Sequence, residues 1–382
     1  MDGLARNRRP TGFGRILALL GMGLVLCVLS PDRANARYAS IVVDADTGRV
    51  LHAVNADTMN YPASLTKMMT LYLLFEALDD GRLTTASRLK VSRRAAGQAP
   101  SRLGLGRGTT IAVKDAILAL ITKSANDVAV VVAEALAGSE RNFAKKMTEK
   151  ARALGMRRSY FRNASGLPNR RQLSTARDMA VLARALARDF PRKYRYFATR
   201  AFNYSGRTYK NHNKLLASYT GTDGVKTGYT HASGYNLAAS VERDDARLIA
   251  VVFGGKTSKS RDRHIKRLLD KGFEKMGEIR AAEARAAARR AAAGWGVQVG
   301  AYSRYAPAHL AVTRAARRVP ELLLRAKVAV TPVATEDGTV YRARLVGLSE
   351  TRARDACKQL TEKRVACIAL SPKDLSPKSD AS

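Results

Sequence analysis

The chain has 382 residues, 46% of them hydrophobic, with 67 Lys and Arg against 32 Asp and Glu, a formal net charge of +35. That length leaves room for two or three domains with sizeable cores. So much basic charge would make nucleic acid the first partner to consider in a cytoplasmic protein, but no RNA- or DNA-binding motif stands out, which sets that class aside.

The first 36 residues read as an export signal and not as part of a fold. Arg6, Arg8, Arg9 and Arg15 form a basic start, and residues 16–30 are an apolar run too short to span a membrane comfortably. Ala34-Asn35-Ala36 then places small residues at −3 and −1 of a cleavage site; an uncleaved membrane anchor is the alternative. Cys27 follows Leu26 and not the small residue of a lipoprotein signal, so no lipid anchor is expected. Cleavage would remove five arginines and two aspartates and leave +32, a charge suited to an anionic envelope polymer or a membrane surface. Of the three cysteines only Cys357 and Cys367 lie beyond the leader, and across a helix-to-strand turn they can pair in an oxidising compartment.

Residues 41–43 and 50–51 flank Asp44-Ala45-Asp46-Thr47-Gly48, two strands joined by a turn. Tyr61-Pro62-Ala63-Ser64-Leu65-Thr66-Lys67 follows, a helix start with an apolar 3.6-period run behind it, ended by Asp79-Asp80-Gly81. Ser64 and Lys67, three apart, share a helix face. A serine needs a nearby base to act as a nucleophile, and a lysine of lowered pKa supplies one; the helix start aims N–H groups at an oxyanion beside Ser64. The same pair also suits a serine cap followed by a solvated lysine.

Residues 93–110 read as loop and short strands, and 113–122 and 128–136 as apolar helices. Between the helices lies Ser124-Ala125-Asn126, whose hydroxyl can pass a proton and whose amide can hold a peptide carbonyl; Asn126 also suits a helix cap. Residues 140–200 look helical and basic around a loop at Asn163-Ala164-Ser165-Gly166-Leu167-Pro168. Three strands follow, over 221–229, 235–241 and 248–253, the last two by alternation and β-branched content. In the first, Lys226 and Thr227 can bind a carboxylate and Gly228 lets a substrate backbone lie against the strand edge.

Ser64-x-x-Lys67, Ser124-x-Asn126 and Lys226-Thr227-Gly228 come in order, each at the edge of a suitable element. A second serine–lysine pair, Ser87 and Lys90, lacks the Pro-Ala before it and the apolar helix behind it. The combination resembles that of serine penicillin-recognising enzymes. From Tyr38 to about Phe273 the chain is similar to the low-molecular-mass D-alanyl-D-alanine carboxypeptidases, in these triplets and in Asp223-Gly224-Val225-Lys226-Thr227-Gly228-Tyr229-Thr230 and Gly234-Tyr235-Asn236-Leu237.

The resemblance implies an α+β domain of β-lactamase/transpeptidase type, with a five-stranded antiparallel sheet, a helical cluster and the site between them. It implies Ser64 as nucleophile, Lys67 as general base, Ser124 as proton relay and Asn126 as peptide holder. Lys226 and Thr227 would grip the terminal carboxylate, and the N–H groups of Ser64 and Tyr229 would form the oxyanion hole. Penicillins should trap Ser64, and neither cofactor nor metal is called for. No Glu-x-x-Leu-Asn is present to supply the deacylating glutamate of class A β-lactamases. An endopeptidase or β-lactamase of the same fold, and a non-catalytic wall-binding protein, remain as alternatives.

After the catalytic region, residues 37–275, comes an alanine- and arginine-rich helical spacer at 276–293. Residues 294–371 follow in the order βαββαβ, a ferredoxin-like unit, before a disordered tail at 372–382. Trp295 to Tyr302 and Tyr341-Arg342-Ala343-Arg344-Leu345-Val346-Gly347 resemble a SPOR domain, which implies binding of peptidoglycan glycan stripped of stem peptides. Gln298 and Arg342 are the candidate contacts, Gln298 being also readable as an outward polar strand residue.

Overall fold

The computed structural model describes residues 1–3, 37–244, 246–292, 294–335 and 338–375. Residues 4–36, on which the export-signal reading falls, and the tail beyond residue 375 lie outside the described residues. The chain divides into two compact units, Met1–Lys275 and Met276–Ser382.

In the first unit, β1 (Ala39–Asp44) and β2 (Val50–Val54) form the expected hairpin. Its turn is tied by Asp44, whose carboxylate accepts from Asp46 N and Thr47 Oγ1, while Gly48 takes a φ of +79°. Helix α1 (Lys67–Asp79) runs through the core, followed by α2 (Val113–Ile121), α3 (Asn126–Ala137), α4 (Glu140–Ala153) and α5 (Ala176–Asp189). Three long strands, β3 (Thr222–Thr230), β4 (Gly234–Arg243) and β5 (Ala246–Gly255), complete an antiparallel sheet of order β2-β1-β5-β4-β3. Helix α6 (Ser258–Ala292) begins in this unit.

Two sequence expectations need correcting here. Helix α1 has no single apolar face: Met68, Met69, Leu71, Leu74 and Phe75 are all fully buried, because the other helices enclose it on every side. Strand β5 does not alternate either. Leu248 to Phe253 are buried on both faces, since Ile249, Val251 and Phe253 join the helical core while Leu248 faces Gly272 of α6. A sheet covered on both sides hides the period-two signal.

The second unit contains β6 (Trp295–Tyr302), α7 (Tyr305–Arg318), β7 (Lys327–Thr335), β8 (Gly338–Leu348), α8 (Glu350–Glu362), β9 (Ile368–Leu370) and a closing turn α9 (Pro372–Leu375). The antiparallel sheet order is β7-β8-β6-β9, the ferredoxin-like arrangement. Val297, Val299, Ala343 and Leu345 pack one sheet face onto α7 and α8. Cys357 and Cys367 are bonded to each other, with Cα atoms 5.1 Å apart. The stretch read as a spacer continues α6 through residue 292, and the tail's first residues form α9.

Candidate active site

Ser64 lies not in an α-helix but in a 3₁₀ turn, Ala63–Thr66, that feeds into α1 at Lys67. Three residues per turn eclipse positions i and i+3, so Lys67 stands directly over Ser64. Its ammonium nitrogen is 3.1 Å from Ser64 Oγ. The turn is clamped from two sides. Gly166 (φ +86°) approaches so closely that a Cβ there would lie 1.9 Å from Ala63 O, and a Cβ on Gly228 would lie 3.2 Å from Ser64 N. Ala63 itself is held at φ +49°, a left-handed conformation kept only because the surroundings enforce it.

Lys67 is fully buried. Besides Ser64 it donates to Asn126 Oδ1 at 2.7 Å and to Ser165 O at 2.5 Å. Burial, and then the charge of Lys226, push its pKa well below the ordinary lysine value, with the Asp127 carboxylate partly opposing the shift. Asn126 is no cap. Ala125 is the N-cap of α3, and Asn126 opens the helix with its amide spanning Lys67 and Ala99 O. Ser124, at φ +58°, has a buried hydroxyl with no hydrogen-bond partner among the described residues.

Strand β3 is the sheet edge beside the serine turn. Thr227, Gly228 and Tyr229 line a cleft of about 370 Å³ together with Ser64, Ser124 and Asn126. Lys226 lies on the same face of the strand as Gly228, is buried and does not line the cleft, its ammonium donating to Thr227 O at 3.1 Å. Burial, then the nearby Arg261, lower its pKa to about 7. Tyr229 is half exposed, its ring 4.3 Å from that of Tyr235.

Several positioning residues were not picked out from the sequence. Asp127 is fully buried and accepts from the N–H groups of Leu103, Gly104, Leu105 and Val128. It thereby pins the loop whose Ser101 O takes Asn126 N at 2.7 Å. Asn236 of β4 reaches Tyr61 O at 3.1 Å and fixes the approach to the serine turn. Glu140 Oε1 accepts from Ala164 N, Thr70 donates to Ala164 O, and Gln172 Oε1 accepts from Arg162 N and Asn163 N. Together they hold the loop that presents Ser165 O to Lys67. Long-range contacts of this kind carry no local sequence signal. Among the described residues no cluster of three or more His, Cys, Asp or Glu side chains could hold a metal ion, and no helix is long and apolar enough to cross a membrane.

In the second unit, Gln298 accepts from Arg344 Nε at 2.9 Å and pairs across the strands with Arg344, whereas Arg342 lies opposite Ala301. All three side chains project from the sheet face opposite the helices.

A serine at a sheet–helix junction with a buried lysine in hydrogen-bond reach is the arrangement found in serine hydrolases of the Ser–Lys kind. The D-alanyl-D-alanine carboxypeptidase profile matches residues 28–257, and the SPOR domain profile matches residues 291–371. The chain is 34% identical over 276 residues to D-alanyl-D-alanine carboxypeptidase DacF of Bacillus subtilis, covering 68% of this chain and 71% of that one. It is 36% identical over 240 residues to DacA of Escherichia coli, covering 61% of this chain and 60% of the relative. The structure superposes on penicillin-binding protein D2 of Listeria monocytogenes, solved in its ampicillin-bound form, with a TM-score of 0.57 and 30% identity over 64% of this chain and 99% of that one. The chain belongs to the D-alanyl-D-alanine carboxypeptidase family of serine peptidases and carries a SPOR-type region after the catalytic one.

Proposed function

We propose that this is an exported D-alanyl-D-alanine carboxypeptidase that removes the terminal D-alanine of peptidoglycan stem peptides through an acyl-enzyme on Ser64. The observation that carries the reading is the buried Lys67 ammonium 3.1 Å from Ser64 Oγ, with a second buried lysine beside it. Neutral Lys67 takes the Ser64 proton as Oγ attacks the D-Ala–D-Ala carbonyl, and the N–H groups of Ser64 and Tyr229 receive the oxyanion. Ser124, whose hydroxyl has no hydrogen-bond partner among the described residues, passes the proton to the departing D-alanine. Asn126 orients the peptide. Thr227 contacts the terminal carboxylate directly, and Lys226 supplies positive charge from its buried position. Gly228 keeps the strand edge open to the substrate backbone. Water then releases the acyl group.

The second unit, in this reading, holds the enzyme on glycan stripped of stem peptides through Gln298, Arg342 and Arg344, and the basic surface adds attraction to anionic wall polymer or membrane. The exported location follows from this substrate and from the leader-like first 36 residues.

Intact mass after mixing with benzylpenicillin tests the central claim. A long-lived adduct mapping to Ser64, with D-alanine released from a pentapeptide, is the expected result. Rapid loss of the adduct with drug hydrolysis would indicate a β-lactamase, and cleavage confined to cross-links an endopeptidase. No adduct on folded protein would overturn the catalytic reading in favour of a wall-binding one.

A further inference from the structure

His212 lies in the tripeptide Asn211-His212-Asn213, ahead of β3. Both asparagines are spent on holding the backbone. Asn211 Nδ2 donates to Thr199 O at 2.8 Å and Asn213 Nδ2 to Gly224 O at 3.0 Å, while each Oδ1 closes a turn onto the following N–H groups. The side chain between them is the one left over. It forms part of the wall of the cleft that contains Ser64, and its ring has no hydrogen-bond partner among the described residues. The ammonium groups acting on it are Lys226 of β3, Lys123 of the α2–α3 turn and Lys67 of α1. Arg261 of α6, Tyr229 and Tyr235 line the same cleft, and no described carboxylate does.

We propose that His212 is a further binder of the substrate's terminal carboxylate, neutral in the empty enzyme and protonated from solvent when the anion enters. The inference rests on the carboxypeptidase reading above. His212 is open to the cleft, yet the protein packed around its ring, and then the three ammonium groups, hold its pKa near 4. A carboxylate arriving beside Lys226 reverses the balance of local charge, and an imidazole with both nitrogens free can then take a proton and donate to it. The empty site avoids a further positive charge among its lysines, and the occupied site gains one.

The test uses Ser64→Ala protein labelled at histidine Cε1 and followed by NMR across pH. The ligand is Nα,Nε-diacetyl-L-lysyl-D-alanyl-D-alanine, whose only carboxylate is the terminal one. The His212 resonance, identified by its absence in a His212→Gln derivative, is expected to titrate near pH 4 alone and about three units higher with saturating ligand. The C-terminal amide of the same peptide should leave it unmoved. In the Ser64-containing enzyme, His212→Gln should raise KM about five- to tenfold at pH 6 with little change in kcat, and His212→Arg should restore KM and remove this part of its pH dependence. An unmoved His212 titration in protein saturated by the acid peptide overturns the inference, as does an equal shift with the amide. Absence of D-alanine release by the unsubstituted enzyme, together with absence of peptide binding, would instead overturn the carboxypeptidase reading.

Discussion

Lys67 and Lys226 place two cations of like sign in the low-dielectric ground beneath one serine, and each plays its proposed part in the opposite protonation state. Lys67 must be neutral to accept a proton, so acylation fails as pH falls through its depressed pKa. Lys226 must be charged to attract a carboxylate, so acylation fails as pH rises through about 7. The expected rate of acylation by penicillin is a bell in pH whose alkaline limb lies near 7. Lys226→Arg, whose charge does not titrate, should carry the alkaline limb upward by more than one unit. Burying Lys226 also has a cost in stability. Its pKa in the folded state lies below the unfolded value, so the unfolded chain binds the extra proton between about pH 7 and the ordinary lysine pKa of 10.5, and stability rises with pH across that window. Lys226→Met should therefore resist urea better than the parent at pH 6, with the advantage shrinking by pH 10; an advantage constant in pH would show that packing and not charge is responsible.

At the scale of elements, the site is a junction of three segments brought together by loops. Asp127 anchors the 99–105 loop against α3 through three of the loop's backbone N–H groups and accepts a fourth from Val128 of α3 itself. Asp127→Ala would leave those donors buried without acceptors, at a cost of about 3 kcal/mol. Urea unfolding should register that loss, and acylation should slow by about tenfold or more as Asn126 loses its support. This anchoring explains which parts of the site were legible in the sequence. Ser64 and Lys67 meet within one turn, and Lys226-Thr227-Gly228 lies along a single strand, so these motifs and their order, though not the Ser–Lys spacing alone, can be read locally. Asp127, Asn236 and Gln172 act across loops; Asn236 reaches Tyr61 from 175 residues away. Nothing local marks them. The fold divides in the same way. The βαββαβ order of the second unit was legible because its helices and strands each have one buried face, while α1 and β5, enclosed on both sides, lose the periodicity that would describe them. Arg344 escaped notice beside Arg342 because only the strand register assigns it to Gln298.

For the whole molecule, the boundary of the catalytic unit does not coincide with the end of the family match at residue 257. Ile265 and Leu269 of α6 are fully buried, and a Cβ on Gly272 would touch Val42 and Leu248 of the sheet. Without this helix one sheet face would be bare, and several buried apolar side chains at about 1.5–3 kcal/mol each are comparable to a domain's usual margin. A chain ending at residue 257 should be insoluble or unfolded by circular dichroism, whereas one ending at residue 280 should acylate with penicillin at the full-length rate. Folding of the shorter form would show that α6 is dispensable to the unit.

The turn α9 bears on how such a protein can be handled. The methyls of Leu375 lie about 3.1 Å from where a Cβ on Gly296 would be, on the same face of the second sheet as Gln298 and Arg344. The chain therefore leaves its last described turn against the surface proposed to meet glycan. An affinity tag or fluorescent reporter fused at the C-terminus would crowd that surface and depress sacculus binding in pull-down and imaging assays.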